Sequence, residues 1–250
     1  MASHLFAAHG IEKKFGTVRA LTGIDFDIDA GEIVALIGDN GAGKSTLTKV
    51  LSGVLAPDAG RIVLDGEEVT ISSPRRADEL GIATLHQDLS LAPHLTVTEN
   101  LFLGRERKLP GVLGALGLVD SRRMAREAVT LLRDVRSAVT HLDEPVARMS
   151  GGQRQSVAIA RSVALSSKVL ILDEPTSALG VTQVDSVLDT MRRVRDKGLA
   201  VVFITHTLPH VMEVADRVQV LRGGSRVASL RTADTSMVEL VSIMTGAHAA

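Results

Sequence analysis

The residues from Gly38 to Thr46 have the types and the spacing that hold phosphate groups. They read Gly-Asp-Asn-Gly-Ala-Gly-Lys-Ser-Thr and fit the pattern G-x-x-x-x-G-K-[S/T]. The glycines let successive backbone N–H groups point at phosphate oxygens, and a helix beginning near Lys44 would add the positive end of its dipole. Lys44 would contact the β- and γ-phosphates, and the Ser45 hydroxyl would hold Mg²⁺. The stretch therefore predicts nucleotide binding.

Two carboxylates, Asp173 and Glu174, come directly after an apolar run at 169–172. The run indicates a buried strand that places both acids at its carboxyl end. Asp173 is suited to holding Mg²⁺ and Glu174 to polarising a water aimed at the γ-phosphate. Two acids after a strand are by themselves more typical of a solvated loop. Because a phosphate loop lies in the same chain, we favour the functional interpretation.

Polar side chains also follow two other apolar runs. Gln87 comes after the run at 82–85, and His206 comes after the run at 199–204. In α/β sheets chemistry takes place at the carboxyl ends of strands. A lone histidine is more often structural, but one at a strand end beside a phosphate loop favours a catalytic role.

The stretch Ser150-Gly151-Gly152-Gln153 opens a predicted helix that continues through apolar residues to about 164. Ser150 has the side chain of an N-cap, and the two glycines leave backbone N–H groups accessible. By itself this is an ordinary helix start. The alternative is a second anion site at a helix N-terminus.

Composition excludes several classes of protein. The 250 residues are 45% hydrophobic, and 28 basic against 29 acidic residues leave a net charge of -1. This balance argues against nucleic acid or an anionic membrane surface as a partner, and with no Trp, no Tyr and five Phe the chain is unsuited to stacking single strands. The lack of Cys excludes disulfides and thiolate metal sites. No secretory signal and no apolar run of about 20 residues is visible, so we expect a cytoplasmic protein.

Alternation of buried strands and helices predicts the fold class. We expect an α/β fold: a P-loop NTPase core, whose mostly parallel sheet has helices on both faces, with an N-terminal antiparallel β subdomain and an inserted all-helical subdomain. The chain is predicted to form one domain over 1–250. Its nucleotide-binding core would comprise 1–90 and 156–250, and the helical subdomain would comprise 91–155. Strands are predicted at 5–11, 23–28, 33–37, 61–66, 82–85, 168–172, 199–204 and 217–221.

The stretch 109–118 is apolar and rich in glycine. One interpretation is an irregular connector that packs on the protein's own helices. The other is an exposed apolar surface that meets a partner. The sequence leaves both open.

The chain resembles the ATPase subunits of ABC transporters over nearly its whole length. Gly38–Thr46 matches the Walker A motif of that family, Gln87 its Q-loop, Ser150–Arg154 its signature, Leu172–Thr176 its Walker B motif and His206 its switch histidine. Each match alone is a short pattern. The five in this order are specific to the family.

The resemblance implies a role for each matching residue. Phe15 would stack on adenine, with Val18 packing nearby; the alternative is that Phe15 belongs to a small core. Gln87 would join Ser45 and Asp173 at Mg²⁺, Glu174 would be the general base, and His206 would contact the γ-phosphate. The residues that would hold the ATP phosphates are Gly38, Asn40, Gly41, Ala42, Gly43, Lys44, Ser45 and Thr46.

In this family two such domains face head to tail. Ser150, Gly151, Gly152 and Gln153 of one chain would then complete the ATP site of the other. The chain departs from the family pattern at Gly180, which stands where the D-loop usually has Asp; the change removes a carboxylate expected to order the dimer interface. Met149 stands where Leu usually precedes the signature, a nearly volume-conserving change.

The stretches 81–89, 99–106 and 244–247 resemble the ATPases of bacterial monosaccharide importers of the ribose, galactose and fructose type, in their single-domain form. The resemblance implies a homodimer, transmembrane permease subunits, an extracytoplasmic sugar-binding protein as an indirect partner, and a peripheral place on the cytoplasmic side of the membrane. The alternatives are another transport substrate, an exporter, or a non-transporting regulatory ATPase. The sugar itself is not readable from the chain.

Overall fold

The computed structural model describes residues 4–86, 89–177 and 179–247, and two sheets organise them. The first is a four-stranded antiparallel sheet in the order β2-β1-β4-β5. Its strands are β1 Phe6–Phe15, β2 Val18–Ile28, β4 Ala59–Leu64 and β5 Glu67–Val69. The inward face of β2 buries Ile24, Phe26 and Ile28, which alternate with exposed or half-buried residues as a sheet with one covered face requires. The predicted antiparallel N-terminal subdomain is confirmed.

The second sheet has six strands in the order β10-β9-β3-β8-β7-β6. They are β3 Ile33–Gly38, β6 Ile82–Leu85, β7 Val169–Asp173, β8 Ala200–Ile204, β9 Arg217–Arg222 and β10 Ser225–Arg231. The pairs β9-β3, β3-β8 and β8-β7 are parallel, and β10 runs antiparallel to β9. Every residue of β3 and β8 is buried, which explains why both are continuous apolar runs. The predicted fold class is confirmed.

Helices connect the strands and carry recognisable caps. They are α1 Lys44–Leu51, α2 Pro74–Glu79, α3 Val97–Phe102, α4 Val112–Ala115, α5 Ser121–Asp134, α6 Gly151–Leu165, α7 Val181–Asp196, α8 Leu208–Val214 and α9 Met237–Thr245, with 3-10 turns at Val146–Arg148 and Thr232–Asp234. Thr96 and Glu99 form a reciprocal capping box at α3, and Asp120 accepts a hydrogen bond from the Arg123 N–H at α5. Within the described residues, no helix is both long and apolar enough to cross a membrane.

The chain divides into two compact units. The first comprises the described residues of 1–84, 165–175 and 191–250 and contains both sheets almost entirely; the second comprises those of 85–164 and 176–190. In the second unit α3 packs against α5. The helical subdomain predicted at 91–155 lies inside the second unit, which also includes the first part of α7.

Several regions differ from the prediction, among them the short strand β5, which was not predicted. The first two strands are longer than expected and meet at a two-residue turn, with Phe15 paired to Val18. Strand β10 and helix α9 were not predicted, because each keeps much of its surface exposed and lacks a continuous apolar run. The stretch 109–118 contains α4 and exposes Val112 and Leu116, so these side chains are not packed on the protein's own helices. Whether a partner covers them stays a prediction.

Candidate nucleotide-binding site

The phosphate loop joins the last residue of β3, Gly38, to the first residue of α1, Lys44. Gly43 caps α1 with a φ of 105°, a left-handed conformation that side chains with a Cβ rarely adopt. A Cβ at Gly43 would also lie 3.0 Å from the Ala20 carbonyl oxygen. Glycine is therefore required here, and the first N–H groups of α1 lie at the loop, where a phosphate can accept them.

The Lys44 ammonium group lies over the loop. Its Nζ donates to the carbonyl oxygens of Gly38 at 2.7 Å and Asp39 at 3.1 Å. Partial burial lowers the pKa of Lys44, and the carboxylates of Glu174, Asp39 and Asp173 oppose this by raising it. The structure therefore brings the lysine of the loop into the field of Asp173 and Glu174, the two acids at the end of β7.

An open cavity of about 330 Å³ runs beside the loop. It is lined by Asn40–Thr46 and, on the other side, by Phe15, Val18, Arg19 and Ala20. The Phe15 side chain keeps 50% of its surface exposed and Val18 63%, so neither belongs to a core. An aromatic face and a phosphate-binding loop thus share one cavity, as a nucleotide with a base and a phosphate chain requires.

The carboxylates and the histidine meet at the edge of the parallel sheet. Asp173 is the last residue of β7 and pairs with Ile204, the last residue of β8. The Glu174 N–H donates to the Ile204 carbonyl oxygen at 2.9 Å, which aligns the residues that follow the two strands. His206 therefore lies next to Glu174, although 32 residues separate them in the chain.

The side chains of Glu174 and His206 are hydrogen-bonded, with 2.8 Å between Glu174 Oε1 and His206 Nδ1. The Thr205 hydroxyl donates to Glu174 Oε2 at 3.4 Å. Glu174 has a φ of 51°, a left-handed conformation that costs a residue other than glycine about 1–3 kcal/mol. Such strain is typical of functional residues. The sequence analysis missed Thr205, and its place directly before His206 is the only signal that could have indicated it.

The predicted signature segment belongs to the second unit. At the start of α6, Ser150 Oγ accepts a hydrogen bond from the Gln153 N–H at 3.3 Å, and Gln153 Oε1 accepts one from the Ser150 N–H at 2.9 Å. This reciprocal capping box makes Ser150 the predicted N-cap. Gly151 and Gly152 form the first turn of the helix, where N–H groups lack partners within the helix.

Among the predicted site residues, the first unit brings together Phe15, Val18, the loop Gly38–Thr46, the pair Asp173 and Glu174, and His206. The second unit holds Ser150–Gln153. Gln87 lies outside the described residues, so its role stays a prediction.

The donor set beside the loop fits Mg²⁺. Ser45 supplies a hydroxyl and Asp173 a carboxylate, and Mg²⁺ prefers such oxygen ligands together with substrate phosphates. Within the described residues, no group of three or more His, Cys, Asp and Glu side chains is placed to hold a metal by itself.

Comparison with known proteins identifies the family. A family profile described as "ABC transporter" matches residues 21–177. The chain belongs to this family. It is 44% identical over 97% of its length to the fructose import ATP-binding protein of Rhizobium meliloti and 42% identical over 97% to the xylose/arabinose import ATP-binding protein of Sulfolobus acidocaldarius, covering 94% of each. It is also 41% identical to the galactofuranose transporter ATP-binding protein of Escherichia coli, of which it spans about half, 47%.

Solved structures agree with the family. A nucleotide-free ATP-binding cassette from an ABC transporter superposes with a TM-score of 0.81 at 25% identity, covering 97% of this chain and 96% of that one. An ADP-bound cassette superposes with a TM-score of 0.80 at 25% identity, covering 98% and 96%. ATP hydrolysis is the activity of this family, so the prediction of an ABC-type ATP hydrolase is confirmed. The resemblance to the ATPases of monosaccharide importers is confirmed as well.

Proposed function

We propose that this chain couples ATP hydrolysis to the uptake of a monosaccharide through membrane permease subunits. The observation that carries the hydrolytic part is the cluster of Lys44, Glu174 and His206 beside a cavity that holds Phe15 at its other side. The sugar is suggested by relatives that are 41–44% identical and are named for fructose, xylose or arabinose, and galactofuranose.

Each residue of the site has a separate role in the proposed hydrolysis. Phe15 and Val18 contact the adenine, while Lys44 and the loop N–H groups hold the phosphates. Ser45, Asp173 and Gln87 would hold Mg²⁺, which would supply positive charge to offset that of the phosphate oxygens. Glu174 accepts a proton from the attacking water, and His206, hydrogen-bonded to Glu174, orients its carboxylate and reaches toward the γ-phosphate.

The proposed working form is a head-to-tail homodimer. Ser150, Gly151, Gly152 and Gln153 of the second copy contact the γ-phosphate, because the first turn of α6 presents N–H groups to an anion. ATP then holds two copies together, and hydrolysis releases them. The dimer binds permease subunits at the cytoplasmic face of the membrane and responds through them to an extracytoplasmic sugar-binding protein.

The test measures hydrolysis by the chain assembled with its permease in lipid vesicles. We expect a sugar-loaded binding protein to stimulate ATP turnover several-fold. The matched variant Glu174→Gln keeps ATP binding and loses turnover by roughly 10²–10⁴-fold, because the amide cannot accept the proton. Size-exclusion chromatography with ATP should find this variant as a dimer.

Two results would contradict the proposal at different points. Unchanged turnover in Glu174→Gln would refute the assignment of the base. Normal turnover that no sugar-loaded binding protein stimulates would argue against sugar import and leave the hydrolytic site intact.

A further inference from the structure

Helix α7 begins without a side chain that caps its first turn. The residue before Val181 is Gly180, which has no side chain to accept the N–H groups of the first turn. Gln183, the third residue of the helix, reaches back instead, and its Oε1 accepts a hydrogen bond from the Gly180 N–H at 3.3 Å. This is one half of a capping box, supplied from inside the helix.

The same side chain covers a glycine of the signature segment. A Cβ built on Gly152 would lie 2.3 Å from the Gln183 Nε2 and 2.4 Å from its Oε1. Atoms do not approach so closely, so the Gln183 amide occupies the space that a side chain at residue 152 would need. Both residues lie in the second unit and line one cavity of about 280 Å³ between α6 and α7.

We propose that Gln183 is a positioning residue that covers Gly152 and ties it to the Gly180 N–H before α7. The inference rests on the proposed function, in which Gly152 contacts the ATP of a second copy. Glycine is the most flexible residue, so its N–H is aimed at a phosphate only if neighbouring groups restrict it. The Gln183 amide restricts Gly152 on one side and holds Gly180 on the other.

Three substitutions of Gln183 distinguish its hydrogen bond to the Gly180 N–H from its covering of Gly152. Gln183→Ala removes the acceptor and the covering atoms, Gln183→Leu keeps the bulk without the acceptor, and Gln183→Glu keeps both. Gln183 is exposed, so each variant is expected to fold. In the full-length protein we expect Gln183→Ala to lower kcat about tenfold while the Kd for ATP, measured at protein concentrations that keep the chain monomeric, stays within about twofold. Gln183→Leu should fall between the wild type and Gln183→Ala, and Gln183→Glu should also lower kcat, because its negative charge lies beside the proposed phosphate contact.

A second-site change separates capping of α7 from the covering of Gly152. A Cβ at Gly180 would meet no atom within 4 Å, so Gly180→Asp is tolerated and gives α7 an N-cap side chain. Gly180→Asp combined with Gln183→Ala leaves Gly152 uncovered, so we expect kcat to stay as low as in Gln183→Ala; full recovery of kcat would mean that Gln183 acts only by capping α7. If Gln183 served only fold stability, Gln183→Ala would lower the melting temperature but would not lower kcat while leaving the Kd for ATP unchanged.

ATP-induced dimerisation, measured in the Glu174→Gln variant, distinguishes failure of the proposed homodimer from failure of the positioning role of Gln183. If that background does not dimerise even with Gln183 intact, the proposed homodimer is wrong. If it dimerises equally well with Gln183 and with Gln183→Ala, and kcat of the single variant is unchanged, the positioning role is overturned. Equal losses in Gln183→Ala and Gln183→Leu would overturn the covering of Gly152, because leucine keeps the bulk at that place.

Discussion

Glu174 combines a proposed chemical role with a strained backbone. Its φ of 51° places it in the left-handed region, and its side chain is held by His206 and Thr205. The conformation persists because the Glu174 N–H is anchored on β8 and the peptide chain must turn sharply after β7. Strain here directs the carboxylate toward the edge of the sheet where the phosphate loop also ends.

The strain predicts an unusual order of stabilities at this residue. Glu174→Ala and Glu174→Gly both delete the carboxylate and should both abolish hydrolysis, but the glycine variant should be more stable by about 1 kcal/mol. Urea unfolding monitored by circular dichroism measures the difference. The exposed helical residue Val238 serves as the control. There Val238→Ala should be more stable than Val238→Gly by about 1 kcal/mol. If the alanine variant were the more stable one at both residues, backbone strain at Glu174 would be refuted.

At the scale of elements, the β1–β2 hairpin positions Phe15, the side chain proposed to stack on the base. Phe15 ends β1 and pairs with Val18 across the two-residue turn, which brings both residues to the cavity beside the phosphate loop. Neither is buried, because the hairpin extends beyond its own core. The hairpin thus leaves an apolar face exposed beside the phosphate loop.

Phe15→Ala should weaken ATP binding by about 1–2 kcal/mol, roughly 5- to 30-fold, since an aromatic face contributes this much to base stacking. Phe15→Trp should keep the affinity. Isothermal titration calorimetry with ATP and with inorganic triphosphate provides the check, because triphosphate has no base and should bind both variants as it binds the wild type. An equal loss for both ligands would mean that Phe15 shapes the loop and does not contact adenine.

At the scale of the first unit, one charged network joins the two sheets. Asp27 on β2 is paired with Arg217 on β9 and Arg226 on β10, and Arg217 also contacts Glu32 at 2.8 Å. The buried Gln219 donates to the Asp27 carbonyl oxygen at 2.7 Å. Burial alone would raise the pKa of Asp27, but hydrogen bonds and charge from the two arginines outweigh it and lower the pKa.

The lowered pKa of Asp27 predicts how stability depends on pH. Because the unfolded carboxyl binds a proton more readily, Asp27 stabilises the fold above its unfolded pKa of about 3.9, and this contribution is lost as the pH falls through the folded pKa. Asp27→Asn should cost about 1–3 kcal/mol at pH 7 and less at pH 3, measured by urea unfolding. The exposed carboxylate Asp196 serves as control, since Asp196→Asn should change stability little at either pH. A cost for Asp27→Asn that does not shrink at pH 3 would contradict the role of its charge.

The sequence by itself determined the elements whose apolar residues are continuous and the motifs whose residues are neighbours in the chain. The loop from Gly38 to Thr46, the acids after β7 and the Ser150 cap could be predicted because spacing along the chain sets their local geometry. The edge strand β10 and the helix α9 could not, since each has much of its surface exposed and a weak pattern.

Only the tertiary structure decided which distant residues meet. The register of β7 against β8 places Thr205 and His206 on Glu174, and the packing between α6 and α7 places Gln183 over Gly152. The charged network of Asp27, Arg217 and Arg226 likewise joins residues about 190 to 200 positions apart. No pattern along the chain encodes these contacts, because strand register and helix packing arise from the burial of many side chains at once.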